Sequence, residues 1–225
     1  MAEFNGFGKD ALGFFKALKF HQDKAWFDAN KALYQSDVVE PMVALLGDLT
    51  ATFAKRRIPL RADGKRSIFR IYRDVRFARD KTPYKTHCGA VMTRSASKMD
   101  NGLLYLHVDP EGCFAAAGFY HPEPADLAKL RKAVARGGGR TFKATMAALE
   151  KGGLELGAGS QLSRVPRGFE ALKGGPLDGV IRLKSLIVEE GFPNRLITTA
   201  KFADAVVDFA KRARPLLTFG WAALD

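Results

Sequence analysis

Cysteine, histidine and long apolar runs are scarce in this chain. Cys88 and Cys113 are the two cysteines among 225 residues. So few thiols suit a reducing compartment, and nothing beyond their number argues for a bridge. No run approaches the roughly 18 apolar residues that a membrane span needs, so no membrane partner is expected. The opening MAEFNGFGKD lacks the basic and apolar regions of a secretory signal, and the expected compartment is the cytoplasm. No G-x-x-x-x-G-K-[ST] phosphate loop is present, and no G-x-G-x-x-G follows a strand; the run from Gly157 to Ser160 is too short to count. The stretch from Ser95 to Lys98 fits S-x-x-K, but its partner motifs are missing and it is discounted. His87 and Cys88 lack a third member for a nucleophilic triad.

What the chain does have is apolar mass and positive charge. Hydrophobic content of 47% with 17 Phe is ample for a real core and excludes disorder. The net charge is +12, and residues 61–100 hold 11 bases against 4 acids. Such a concentration draws anions inward without choosing among metabolite, nucleic acid and membrane surface.

The excess centres on Arg66 to Arg94. Arg70, Arg73, Arg76 and Arg79 recur every third residue, followed by Lys81 and Lys85, with Phe69, Ile71, Tyr72, Val75, Phe77 and Tyr84 between them. Its β-branched and aromatic content predicts a strand from about Ser67 to Arg73. Neither strand nor helix geometry turns every arginine to solvent, so some need a carboxylate, a carbonyl or a bound anion. Asp74 and Asp80 are too few to satisfy these bases locally. The two acids can pin the arginines in a structural ion-pair network, or a ligand can supply the missing charge. The turn from Lys81 to Lys85, stiffened by Pro83, would display Lys81, Tyr84 and Lys85.

Elsewhere, Asp10 is expected to cap a helix with Phe14, Phe15 and Leu18 on its apolar face, and Asp23 a second with Trp26, Phe27, Asn30 and Tyr34. A third helix follows Asp37 and Pro41 and stops at Pro59. Four short strands are expected: SIFRIYR, HCGAVMTR, GLLYLHVDP and GCFAAAGFY, the last two joined by a turn at Asp109 to Gly112 in which Gly can take positive φ. Helices over 122–136 and 141–150 are broken by Gly137 to Gly139 and by Gly152 and Gly153. SQLSRVP and VIRLKSLIVEEGF are further candidate strands, and Thr199 caps a final helix that Pro215 stops. The fold class is α+β: N-terminal helices over 1–60, a central antiparallel sheet over 61–121, and further helices with short strands over 122–225, all read as a single domain.

The pattern Arg70-x-x-Arg73-Asp74-x-Arg76-Phe77-x-x-Asp80-Lys81-x-x-Tyr84 resembles the signature of the bacterial DUF2461 family. The likeness takes in Trp26, Phe27, Lys31 and Tyr34, the run Pro83 to His87, and Tyr105, His107 and Pro110. It continues through Ala117 to Tyr120, Arg131 and Pro166 to Phe169. One departure is Gln22-Asp23, where the family often has asparagine; a capping role survives it. The resemblance covers nearly the whole chain and carries no established activity with it.

The sequence therefore favours binding of a small anionic ligand, phosphorylated or carboxylated. Arg70, Arg73, Arg76, Lys81 and Lys85 would supply charge, Tyr84 hydrogen bonding or stacking, and Asp74 the orientation of an arginine. Lys31, His107 and Arg167 are additional pocket candidates. No catalytic residue is assigned; were there a reaction, Asp74 or Asp80 would be its base. Nucleic-acid binding is the alternative, from bases interleaved with aromatics, although no helix-turn-helix, zinc-finger or RNP pattern is visible. A purely architectural motif in an interaction protein is the third reading, and the oligomeric state is left open. His107 and Asp109 share a strand face at the spacing of a metal pair, which His87 or His121 could complete, yet a strand histidine is more often a packing residue. No metal and no cofactor is expected.

Overall fold

Apolar residues at helical spacing make the chain open on helices. In the computed structural model, which describes residues 3–225, α1 spans Ala11–Phe20 and α2 spans Lys24–Tyr34. Phe14, Phe15 and Leu18 are buried on α1. Asp23 caps α2, its carboxylate accepting the Trp26 N–H at 2.8 Å. Asp10 does not cap α1. Its backbone (φ −95°, ψ 1°) lacks the extended form that aims a cap side chain at the first free N–H groups.

No break separates the second and third helices. α2 passes through one π-helical turn, Gln35–Val39, into α3 at Glu40–Lys55. Pro41 explains the wide turn, because it has no N–H to offer the Asp37 carbonyl and its ring crowds that carbonyl. The carbonyl instead accepts the Gly8 N–H at 3.0 Å, and the Asp37 carboxylate accepts the Asp10 N–H at 3.2 Å. A Cβ at Gly8 would fall 2.1 Å from the Asp37 carboxylate, so this approach requires glycine.

The expected strand over SIFRIYR does not form. After a 3₁₀ turn at Gly64–Ser67 the segment is extended, with isolated bridges of Ile68 to Ala90 and Tyr72 to Tyr84. Its partner changes halfway, so neither pairing grows into a ladder. The other three expected strands are present: β1 (Cys88–Thr93), β2 (Leu103–Val108) and β3 (Cys113–Phe119). β4, Leu186–Phe192, comes from the second late candidate, whereas SQLSRVP makes one bridge, Gln161 to Leu183. The sheet is antiparallel in the order β1-β2-β3-β4, and the fold is α+β.

The turn between β2 and β3 closes with the Gly112 N–H on the Asp109 carbonyl at 3.2 Å. Pro110 and Glu111 occupy its centre, so Gly112 needs no positive φ.

Between β3 and β4 lie α4 (Pro124–Ala135), α5 (Arg140–Lys151) and α6 (Asp178–Arg182). Gly137, Gly138 and Gly139, all at positive φ, make the break between α4 and α5. α7 (Asn194–Ile197) and α8 (Lys201–Leu224) close the chain. Thr199 turns its hydroxyl back to the Leu196 carbonyl at 2.8 Å. Pro215 does not stop α8; the helix continues because Leu216, Leu217, Phe219 and Trp221 beyond it are buried. Among the described residues no helix is long and apolar enough to cross a membrane.

The chain forms two compact units. The first holds the described part of Met1–Lys98 with Tyr105–Ala115 and Gly191–Asp208; the second holds Met99–Leu104, Ala116–Glu190 and Phe209–Asp225. The first is centred on Phe15, Leu18, Met42, Leu45, Leu46, Leu49 and Phe53, all buried. In the second, Leu130, Ile181, Phe209 and Leu216 are buried, and Arg131 ties the Ile181 and Leu183 carbonyls at 2.8 and 3.1 Å.

Candidate functional site

Most of the basic motif is satisfied within its own loop. The half-buried Arg73 guanidinium donates to the Asp80 carboxylate at 2.5 Å and to the Thr82 hydroxyl, and the Thr82 N–H donates to Asp80 at 2.9 Å. The Thr82 N–H, Arg73 and the Thr82 hydroxyl together hold the Asp80 carboxyl down at about 2. Arg76 grips Asp74 with two donors, at 3.0 and 2.7 Å, and holds that carboxyl below its usual range. Lys81 donates to the Val75 carbonyl at 2.9 Å. Carboxylates so stabilised in the charged form are weak bases. Asp74 and Asp80 act here as braces.

Tyr84 anchors this loop. Its ring is buried and stacks on Phe27 at 4.7 Å with 20° between planes, and its N–H donates to the Gln22 side chain at 3.0 Å. The Gln22-Asp23 pair thus does two jobs, since Asp23 caps α2 while Gln22 holds the loop. Burial raises the Tyr84 phenol above its ordinary range, and its stacking face is taken by Phe27.

Two cavities in the first unit flank the motif. The larger, about 600 Å³, takes Lys31, Tyr34 and Gln35 from the α2 side and Lys65, Arg66, Phe69, Arg70 and Tyr72 from the extended segment, with Lys98. Five cationic side chains line it and no carboxylate does. Arg66 pairs with Asp63 at 3.3 Å. Arg70 and Lys31 have no carboxylate at ion-pair distance among the described residues. Lys98 donates to the Ile68 carbonyl at 2.6 Å and sits over the Phe69 ring at 4.8 Å. Burial, and the nearby Lys85 charge, push its ammonium down. Lys85 also lies over Phe69, at 5.5 Å, lowered by burial and then by Arg70. Burial is the main cause of both shifts, and neighbouring positive charge adds to each.

The smaller cavity, about 390 Å³, is lined by Lys19, Gln22, Arg73, Asp80, Thr82, Tyr84, Lys85 and His87 among others. The expected binding residues therefore divide. Arg70 and Lys31 share one cavity, and Arg73, Tyr84 and Lys85 line the other, whereas Asp74, Arg76 and Lys81 line neither. Arg167 belongs to the second unit. Sequence reasoning assigned no site role to Lys65, Arg66 and Lys98. Their positions in the basic excess were the available signal, but the contact of Lys98 with Ile68 spans 30 residues and has no local pattern.

His107 and Asp109 face the same side of β2 and the turn after it, with Nε2 3.6 Å from Oδ2. His87, immediately before β1, joins them, its ring 4.4 Å from that of His107. His121 is not part of this group; its N–H is held by Ser185 at 2.9 Å.

A model of the family described as "Conserved hypothetical protein (DUF2461)" matches residues 10–219. No curated protein and no solved structure matches the chain.

Proposed function

The chain belongs to the DUF2461 family of conserved hypothetical proteins, and we propose that it binds a small phosphorylated or carboxylated ligand in the larger cavity. The observation that carries this reading is the acid-free lining by Lys31, Lys65, Arg66, Arg70 and Lys98. Asp63 pairs with Arg66, but the remaining like charges repel one another, and an anion relieves that repulsion. Phe69 and Tyr72 add aromatic surface to the lining, so a ligand with a ring or short carbon skeleton beside its anionic group fits best.

The assignment is narrower than the motif. Arg70 and Lys31 carry the charge recognition, while Arg73, Asp74, Arg76, Asp80 and Lys81 hold the loop. The proposed compartment is the cytoplasm, which the two buried thiols, Cys88 and Cys113, suit.

The test is a thermal-shift screen against phosphorylated metabolites, nucleotides, sugar acids and short oligonucleotides at low and high salt. A ligand at about 100 times its Kd adds roughly 2.7 kcal/mol of stability. A small anion that still shifts melting at high salt, and whose affinity falls about tenfold or more in Arg70→Ala, supports the assignment. Stabilisation by oligonucleotides alone, abolished by salt, would replace it with a nucleic-acid surface.

A further inference from the structure

Apart from the basic cavity, the first unit gathers two imidazoles and a carboxylate at one point. One ligand atom from each of His87, His107 and Asp109 lies within 4.8 Å of the other two. Donors bound about 2.0–2.2 Å from one ion stand roughly 3–3.5 Å apart at tetrahedral or octahedral angles. The His107 and Asp109 atoms, at 3.6 Å, are already close to that spacing. His87 is half-buried, lines the smaller cavity and has its ligand atom within 4.8 Å of the other two.

The surroundings prepare these groups as ligands. The Tyr105 hydroxyl meets Nδ1 of His107 at 2.9 Å, which leaves Nε2 as the nitrogen turned to Asp109. Phe114 stacks on the His107 ring at 4.5 Å and 22°, fixing its plane. Neither ring nitrogen of His87 has a hydrogen-bond partner among the described residues. Burial, reinforced by the neighbouring His107, holds His87 down at about 4, and burial lowers His107 too. A metal takes the lone pair of a neutral imidazole nitrogen, and the geometry of these donors is what marks the site.

We propose that His87, His107 and Asp109 form a binding site for one divalent first-row transition metal ion, with Tyr105 as the positioning residue for His107. Two imidazoles with one carboxylate favour Zn²⁺, Fe²⁺, Co²⁺ or Ni²⁺ over the oxygen-seeking Mg²⁺ and Ca²⁺. Three protein donors leave further coordination positions, and His87 also lines the cavity that holds Lys19, Arg73 and Lys85. An anion entering there would meet the ion and these bases together.

The experiment uses the full chain, stripped with chelator and titrated with Co²⁺ and Zn²⁺. The expected result is saturable uptake of one ion per chain, visible absorption from bound Co²⁺, and displacement of Co²⁺ by Zn²⁺. Bound Zn²⁺, which is diamagnetic, should shift the ring-proton NMR signals of His87 and His107. His87→Gln and Asp109→Asn should abolish stoichiometric uptake, and Tyr105→Phe should weaken affinity about tenfold or more. Absence of saturable uptake overturns the proposal. So does uptake that leaves the His87 and His107 signals unmoved, and that readout needs no variant to fold.

Discussion

Removing the Phe27 side chain tests the claim that the loop's ion pairs need the Tyr84 anchor on this ring to fix the basic motif. Phe27 is 2% exposed and touches Tyr84 at 4.7 Å, Tyr34 at 5.8 Å, Tyr72 at 6.1 Å and Phe14 at 6.3 Å between ring centroids. Phe27→Ala deletes the buried ring and leaves a cavity, which costs about 3–5 kcal/mol. Loss of aromatic stacking accounts for roughly 0.5–1.5 kcal/mol of that. Phe27→Leu keeps much of the volume and should cost less than about 2 kcal/mol. The assay is urea unfolding, reading the midpoint at constant slope, with hydrogen exchange at the Arg73 and Lys85 amides, which bond to Pro83 and Ile71. Protection of both amides should collapse in Phe27→Ala well below the unfolding midpoint. A loss under about 1 kcal/mol with protection intact would refute the reasoning, because the loop's ion pairs would then suffice alone.

Further tests address other links. Gly118 sits at φ 137° with an added Cβ falling 2.0 Å from the Leu186 carbonyl, so Gly118→Ala should destabilise by more than about 2 kcal/mol, measured by chemical denaturation. The Asp80 carboxyl, held down at about 2, contributes stability that is present above its unfolded value and lost as pH falls through its folded one. An NMR titration should place it well below the ordinary aspartate range, and Thr82→Val should move it up; a midpoint near the ordinary value would break the brace assignment. Arg131→Ala should cost about 1–3 kcal/mol by stranding the Ile181 and Leu183 carbonyls. Pro215→Ala, which restores a donor for the Lys211 carbonyl within α8, should raise the melting temperature by a few degrees.

Local rules made much of the fold legible. The Asp23 cap, the glycine break after α4, the Asp109 turn and three strands all follow from short-range sequence. The misreadings share a cause, which is a competing contact far along the chain. Asp10 is held in a non-extended backbone with its N–H on the Asp37 carboxylate, and α8 outlasts Pro215 because the residues beyond it are buried. The Ser67 to Arg73 segment has strand composition, but its neighbours at Ala90 and Tyr84 belong to different stretches. For the site, spacing identified the charged segment and the pairing of His107 with Asp109. It could not tell which arginines were spoken for, since Arg73 reaches Asp80 only through the fold of the loop.

The wide turn at Gln35–Val39 works as a phase setting between two rods. Upstream of it, α2 presents Lys31 and Tyr34 to the basic cavity, while α3 downstream is fixed by buried Met42, Leu45, Leu46, Leu49 and Phe53. Each α-helical residue advances the face by about 100°. Rewinding this turn as ordinary α-helix with all five residues kept would swing Lys31 and Tyr34 by up to roughly that angle off the cavity, whereas deleting Ser36 along with the turn would keep the two faces nearly in phase. The charge of the cavity thus depends on how one turn is wound as much as on which residues line it.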